Sequence, residues 1–209
     1  MGFNALVVDQ RAHGASEGKT IAFGIQERHD VCGWLRYCVN RFGESVPMIL
    51  SGLSMGAATV LMASDEELPP NVKCIIADSP YSSPVAIIEK VCKDERYPVS
   101  LCRPFLHLGA TMYGRFTLKE TSAKAAVAKA TLPILLIHGE DDRFVPCSMT
   151  HEIAARSASY TEVQTFPEAG HGLCYMTDPR RYERIIYDFF CRIPELKNSI
   201  SETFTKQLF

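Results

Sequence analysis

Short apolar runs alternate with segments of helical periodicity along most of this chain. Each run is nearly continuous in apolar residues and is followed by Gly, Ser, Asp or Pro, which is typical of strands buried on both faces. Strands that alternate with helices predict right-handed crossovers and a three-layer α/β domain with a parallel sheet. The predicted strands are residues 5–9, 47–51, 72–78, 132–138 and 162–166, and the predicted helices are residues 23–42, 55–64, 147–157 and 181–190.

Composition limits the class of protein. With 209 residues, of which 46% are hydrophobic, the chain can bury the core of one globular domain. The net charge is −2 and no basic run exceeds a pair, so nucleic acid is not an expected partner. No apolar stretch approaches the roughly 20 residues of a membrane helix, and no signal peptide is visible. The eight cysteines lack metal-binding spacing, which predicts reduced thiols, no metal and a cytoplasmic protein.

The interval over residues 79–131 is too long for a simple connection between two strands. It is rich in aromatic and large aliphatic residues. We interpret it as a helical cap over the carboxyl ends of the strands, where open parallel sheets bind ligands. Ordinary helical packing without a ligand role is the alternative.

The sequence Gly52-Leu53-Ser54-Met55-Gly56 links the second predicted strand to the helix that follows it. A serine between two glycines in a strand–turn–helix context is typical of a nucleophile held exposed on a sharp turn. Glycines are expected on both sides because side chains there would collide with the neighbouring strand and helix. The backbone amide of Met55 is then a candidate donor to an oxyanion.

A serine hydroxyl is a weak nucleophile at neutral pH, so it needs a general base, which in turn needs an acid to orient it. The fourth predicted strand is followed by the sequence HGEDDRFVP at 138–146, and the fifth by PEAGHG at 167–172. Both loops lie just beyond strand ends, where the side chains of a parallel sheet share one edge. His171, which lies between glycines, is the candidate base.

Several acids compete to orient that base. Glu140, Asp141 and Asp142 are neighbours, and Asp78 at the end of the third predicted strand is a rarer alternative. Spacing alone leaves these acids open. Two other histidines, His13 and His138, are interpreted as structural. The remaining three have no catalytic partner in view, namely His29, His107 and His151.

Four motifs together resemble the α/β-hydrolase superfamily, in particular bacterial hydrolases of the serine-aminopeptidase and lysophospholipase-like kind. They are DQRAHGASEG at 9–18, GLSMG at 52–56, HGEDDRFVP at 138–146 and AGHG at 169–172. The resemblance covers residues 1 to about 190. It implies a triad of Ser54, Asp142 and His171, because the family's acid stands three residues after the glycine of HGxxD and its base is the histidine of the last motif.

The 9–18 stretch is mainly architectural in that family. Arg11 is therefore expected to pair with Glu27 or Asp30, which share one face of the next predicted helix.

The resemblance also predicts an N-terminally truncated α/β-hydrolase fold. The family's sheet has eight strands in the order 1-2-4-3-5-6-7-8, and the first strand predicted here matches the fourth. Three strands are then missing, together with the loop that carries the second oxyanion donor. We expect the chain to be part of a longer hydrolase, and expect any membrane anchor only in the missing upstream segment.

These expectations describe one domain over residues 1–209, with the cap at about 79–131 and a C-terminal extension at about 193–209. In the extension, Leu196, Ile200, Phe204 and Leu208 recur every four residues and predict an amphipathic helix. The expected function is a serine hydrolase that cleaves an ester, thioester or amide of a small or lipid-like acyl substrate, without a cofactor. The alternatives are a peptidase or acyltransferase with the same triad, and a non-catalytic or unstable fragment.

Overall fold

Successive side chains of the strand at residues 72–78 enter two different hydrophobic cores. Ile75 and Ala77 belong to one cluster, whereas Cys74 and Ile76 belong to the other. Because neighbouring residues of a strand point to opposite faces, this strand must be covered on both sides. The nearly continuous apolar run is therefore explained by burial of both faces.

The computed structural model describes residues 3–197. Its sheet has four parallel strands in the order β1-β2-β3-β4. The strands are β1 (Met48–Leu53), β2 (Val72–Asp78), β3 (Ile134–Gly139) and β4 (Thr161–Phe166). Ile75 of β2 lies opposite Leu50 on one side and Ile134 on the other, so the carboxyl ends of the strands share one edge.

Helices cover both faces of this sheet. They are α1 (Glu27–Phe42), α2 (Met55–Ala63), α3 (Pro84–Asp94), α4 (Val99–Gly109), a π-helical turn (Ala110–Gly114), α5 (Ala123–Ala126), α6 (Ser148–Ala154), α7 (Cys174–Thr177), α8 (Pro179–Cys191) and α9 (Pro194–Lys197). Leu61 of α2 and Ile153 of α6 pack on one face, and Phe189 of α8 and Leu196 of α9 pack on the other. The predicted three-layer α/β fold is confirmed.

The predicted first strand at residues 5–9 is wrong. Residues 3–10 are irregular, and the side chain of Val7 is 89% exposed. A groove of about 1160 Å³ lies between this segment and β1, and residues of the segment and of β1 line it. A strand is stable only when a neighbour satisfies its backbone N–H and C=O groups, and residues 5–9 have no strand partner within residues 3–197.

The first helix starts at Glu27, four residues later than predicted. The carboxylate of Glu27 is buried and accepts hydrogen bonds from the amides of Ala22 (2.7 Å) and Gly24 (2.9 Å), which hold residues 22–26 in a turn. Arg11 pairs with Asp30 through two hydrogen bonds of 2.6 Å, so the predicted pairing is confirmed and its partner is Asp30.

Between β2 and β3, the chain forms α3, α4, the π-helical turn and α5. Ile87 and Phe116 pack in a cluster with Tyr81 and Met149, against which Met55 also lies. That these elements act as a cap stays a prediction.

In the predicted C-terminal extension, Leu196 is buried, whereas Ile200, Phe204 and Leu208 lie outside the described residues. Within residues 3–197, no helix combines the length and apolarity needed to cross a bilayer.

Candidate active site

Ser54 stands at a strained turn directly after β1. Its φ of 53° and ψ of −115° lie in a region that L-residues rarely adopt. Backbone bonds hold the turn on both sides, because the Ser54 amide donates to the carbonyl of Asp78 (2.8 Å) and the Ala58 amide donates to the carbonyl of Ser54 (3.0 Å). The turn thus presents the Ser54 side chain at the carboxyl edge of the sheet.

The two glycines that flank Ser54 are constrained differently. A Cβ atom at Gly52 would lie 2.3 Å from the carbonyl carbon and oxygen of Gly56, so Gly52 allows the helix to approach the strand. A Cβ atom at Gly56 would meet nothing nearer than Nε2 of Gln10, at 3.7 Å. The expectation that both glycines are sterically required holds at Gly52 and is wrong at Gly56.

The loop at 167–172 crosses the end of β3 and carries His171. Its path is fixed by a hydrogen bond from the Asp141 amide to the carbonyl of Ala169 (3.1 Å). A Cβ atom at Gly139 would lie 2.2 Å from that carbonyl oxygen, so only glycine allows the loop to pass this closely. The loop therefore brings His171 to the strand end that precedes Asp142.

The three residues predicted as a triad lie together. Nε2 of His171 is 2.8 Å from Oγ of Ser54, and Nδ1 of His171 is 2.6 Å from Oδ2 of Asp142. The side chain of His171 is 27% exposed, whereas that of Asp142 is fully buried. A carboxylate can only accept, so Nδ1 of His171 donates to Asp142, and in the neutral imidazole Nε2 is then free to accept the Ser54 proton.

The structure distinguishes the competing acids by position. Asp142 contacts His171, whereas Asp141 is exposed and Glu140 accepts a hydrogen bond from the hydroxyl of Thr165 (2.6 Å). The second oxygen of Asp142, Oδ1, accepts from the amides of Phe144 (2.9 Å) and Val145 (2.8 Å). These bonds fix the orientation of the carboxylate.

His138 is a second histidine beside this carboxylate, and the sequence predicted only a structural role for it. Its Nε2 donates to the carbonyl of Val145 (2.8 Å) and lies 3.2 Å from Oδ2 of Asp142, while Nδ1 contacts the hydroxyl of Thr150 (2.6 Å). Burial lowers the pKa of His138, which favours a neutral ring. Its position four residues before Asp142 in HGEDD was the available signal.

Asp78, the alternative acid, lies in a separate buried network behind Gly172. Its carboxylate accepts hydrogen bonds from the hydroxyls of Ser79 (2.9 Å) and Tyr182 (3.0 Å). The Ser79 hydroxyl in turn accepts from the amide of Gly172 (3.3 Å), the residue after His171. Burial raises the pKa of Asp78, and the structure gives this carboxylate no hydrogen bond to His171. Sequence reasoning missed this network because its members are distant in the chain.

Two further features border the site. Met55 begins α2, and the first N–H groups of a helix have no intrahelical acceptor, so its amide is available to an oxyanion. The Phe144 ring and the imidazole of His171 pack in an edge-to-face arrangement, with the ring centroids 5.1 Å apart. The groove beside β1 extends to Leu53 and Gly172, which adjoin Ser54 and His171.

Two buried cysteines offer little competing chemistry. Burial raises the pKa of Cys74 and of Cys174 to about 12, which leaves both thiols protonated near neutral pH. Among residues 3–197, no group of three or more His, Cys, Asp or Glu side chains has an arrangement suited to a metal ion.

Comparison with known proteins identifies the family. Residues 20–195 match the model of the prolyl oligopeptidase family. A curated relative, "Uncharacterized protein YqkD" of Bacillus subtilis (strain 168), is 25% identical over 190 residues, which are 90% of this chain and 62% of that protein. The chain thus spans less than two-thirds of the length of this relative.

Solved structures share the fold. The Pyrococcus furiosus esterase Pf2001 superposes with a TM-score of 0.65 at 23% identity, over 88% of this chain and 69% of the esterase. Mouse alpha/beta hydrolase domain-containing protein 10 superposes with a TM-score of 0.61 at 21% identity, over 88% of this chain and 76% of the mouse protein. These likenesses and the parallel sheet confirm the α/β-hydrolase prediction. With 176 of its 209 residues inside the family match, from 20 to 195, the chain belongs to the prolyl oligopeptidase family of α/β hydrolases.

Proposed function

We propose that this chain is the catalytic part of a serine hydrolase that cleaves an acyl ester or thioester, or an amide, through a covalent acyl-enzyme. The observation that carries the proposal is the continuous line of hydrogen bonds from Asp142 to His171 (2.6 Å) and from His171 to Ser54 (2.8 Å). Nucleophile, base and orienting acid are within hydrogen-bond reach, which is the geometry that nucleophilic catalysis by serine requires.

In the first half of the reaction, Oγ of Ser54 attacks the substrate carbonyl while Nε2 of His171 takes its proton. Asp142 stabilises the imidazolium that forms, and its contacts with the amides of Phe144 and Val145 keep it from rotating. The proton on Nε2 then passes to the leaving alcohol, thiol or amine as the acyl bond breaks.

In the second half, His171 deprotonates a water that attacks the acyl-enzyme, and the acid product leaves with Ser54 restored to its hydroxyl form. The Met55 amide stabilises the negative oxygen of both tetrahedral intermediates. One oxyanion donor contributes on the order of 3 kcal/mol, about a hundredfold or more in rate. A second donor from a segment outside residues 3–197 would add to this.

A peptidase is the second candidate, and the family match favours it. The matching family takes its name from a peptidase, and the acylaminoacyl peptidase of Pyrococcus horikoshii shares the fold with a TM-score of 0.58 at 14% identity, over 82% of this chain and 28% of the peptidase. The same three side chains cleave amides when the leaving amine is protonated by His171. The substrate, rather than the triad, distinguishes the two candidates.

Turnover of p-nitrophenyl acetate and butyrate and of amino-acid p-nitroanilides tests the proposal and separates the candidates. We expect ester turnover that falls by about a thousandfold or more in Ser54→Ala, with little change in KM. Ser51→Ala, which changes an exposed serine three residues earlier in β1, is the matched control and should keep the wild-type rate.

Faster turnover of anilides than of esters would favour the peptidase. A Ser54→Ala protein that retains the wild-type rate would refute the proposal. A folded wild-type chain that turns over neither substrate would support the non-catalytic alternative.

A further inference from the structure

Helix α4 leaves an apolar side exposed. None of its residues is buried. A helix in a folded domain ordinarily hides its apolar stripe against a core. We call the exposed apolar surface of α4 and its flanking residues the α4 face. Its six residues are between 55% and 85% exposed, namely Tyr97, Leu101, Phe105, Leu108, Met112 and Tyr113.

These residues form one stripe because of their spacing. Leu101, Phe105 and Leu108 are separated by four and three residues, which places them on one side of a helix. Met112 and Tyr113 continue the apolar surface into the π-helical turn. Contiguous exposed apolar surface of this kind marks a binding site more often than isolated exposed residues do.

Contacts on the opposite side of α4 hold this stripe outward. Arg103 makes an ion pair with Glu89 of α3 (2.6 Å), and Leu106 lines a cavity of only about 10 Å³ with Ile88. Beyond the π-helical turn, Phe116 is buried in the cluster against which Met55 lies. The helix is therefore held at its middle and beyond its C-terminal end, with its apolar stripe facing away from the core.

The segment that carries this stripe is positively charged, although Glu95 and Glu120 flank it. From Arg96 to Lys119 the chain contains no Asp or Glu, although it carries a net charge of −2 overall. Three exposed cationic side chains of this segment are available beside the stripe, namely Arg96, Arg115 and Lys119, whereas Arg103 is paired with Glu89 on the other side of α4. A stripe of large apolar residues among cations is the composition of helices that lie in the interface of anionic membranes.

A second copy of the chain fits this surface less well. A symmetric pair would bring the same face of both copies together, so the cations would meet like charges. An anionic lipid surface satisfies both features at once, because its acyl region accepts the apolar stripe while its headgroups pair with the cations. From this complementarity we infer that the α4 face binds the surface of membranes that contain anionic lipids.

Binding does not depend on Ser54 being catalytic, so it is measured on both the wild-type chain and Ser54→Ala. Co-sedimentation uses vesicles of phosphatidylcholine alone and of phosphatidylcholine mixed with phosphatidylglycerol. We expect both proteins to bind the mixed vesicles at least about tenfold more tightly, and expect the binding to weaken as salt is added.

The residue-level test uses Phe105→Glu, which places a negative charge in the centre of the α4 face. Binding to mixed vesicles should fall at least about tenfold while the circular dichroism melt stays that of the wild type. Phe42→Glu is the matched control, because Phe42 is 57% exposed on α1, outside this face, and its replacement should leave binding unchanged.

A fluorescence measurement keeps the test valid if Phe105→Glu does not fold. In Trp34→Phe/Phe105→Trp, the single tryptophan lies on the α4 face, and its emission should shift to the blue when mixed vesicles are added.

Three results would overturn the inference. They are equal binding to both kinds of vesicle, unchanged binding by Phe105→Glu, and a wild-type dimer that Phe105→Glu dissociates, which would show that a second copy covers this face.

Discussion

Nε2 of His138 lies 3.2 Å from Oδ2 of Asp142, and both side chains are fully buried. His138 thus packs against the same carboxylate oxygen that accepts the hydrogen bond from His171. Since burial lowers the pKa of His138, the ring is neutral in the folded protein and leaves the negative charge of Asp142 available to His171.

A pH dependence of stability follows from the lowered pKa of His138. As pH falls below the ordinary histidine value of 6.5, the unfolded chain takes up this proton and the folded protein does not. The stability that the neutral ring contributes is therefore fully present above about pH 6.5. It declines as pH falls further, until pH reaches the lower pKa of His138 in the folded protein. The free energy of unfolding should fall by up to about 1.4 kcal/mol per pH unit, as measured by urea unfolding.

His138→Gln isolates this effect, because glutamine can still bond to Thr150 and Val145 but does not titrate. The variant should show a shallower loss of stability than the wild type between about pH 6.5 and pH 5. Identical slopes in the two proteins would show that His138 titrates alike in both states.

Asp142→Asn should lower kcat by about 10⁴ while leaving the fold intact. The carbonyl of asparagine can still accept from the Phe144 and Val145 amides, but its NH₂ group cannot accept from Nδ1 of His171. The imidazole then holds its proton on the wrong nitrogen. Steady-state ester turnover and a thermal melt measure the two effects separately.

Asp141→Asn is the control for that substitution, because Asp141 adjoins Asp142 but is exposed. Its kcat should stay within a few-fold of the wild type. A loss in Asp141→Asn that matches the loss in Asp142→Asn would mean that the acid is assigned to the wrong neighbour.

The glycines beside Ser54 should respond to alanine in opposite directions. Gly52→Ala places a Cβ atom 2.3 Å from the Gly56 backbone, so we expect a loss of about 1–3 kcal/mol or more in the free energy of unfolding. Gly56→Ala meets nothing closer than 3.7 Å and lies within α2, where alanine is favoured over glycine by about 0.5–1 kcal/mol. Denaturant unfolding of both variants tests the contrast, and equal losses would disagree with it.

Ser79 and Ser82 are a second contrasting pair. Both are buried, but Ser79 donates to Asp78 and accepts from the Gly172 amide, whereas the Ser82 hydroxyl has no hydrogen-bond partner among residues 3–197. Ser79→Ala should cost about 1–3 kcal/mol of stability, and Ser82→Ala should be neutral or stabilising. Calorimetric melts of the two variants test this contrast. A larger loss of stability in Ser82→Ala than in Ser79→Ala would contradict the assigned hydrogen bonds.

Sequence reasoning succeeded where the determinants are local. The four strands after residue 47 were predicted because each is an apolar run that ends at a turn residue, and β2 was predicted with its observed bounds of Val72 and Asp78. The loops that carry Asp142 and His171 follow such strands directly. Strand ends of a parallel sheet meet at one edge, so the proximity of these side chains follows from the fold.

The features that were missed depend on distant parts of the chain. Residues 5–9 have the apolar pattern of a strand, but a strand forms only where a neighbour pairs with it, and β1 lies across a groove from them. Tyr182 reaches Asp78 from 104 residues away, which no local pattern indicates. His138 has the same local setting as many buried histidines, and only the path of the loop reveals its contact with Asp142.

Covalent labelling tests the central claim most directly. A fluorophosphonate reacts with a serine that a neighbouring histidine activates, and the modified peptide is identified by mass spectrometry. We predict one adduct, on Ser54, that disappears in Ser54→Ala and forms far more slowly in His171→Gln. Labelling that persists in Ser54→Ala, or an adduct on a different serine of the wild-type chain, would contradict the assignment of Ser54 as the nucleophile.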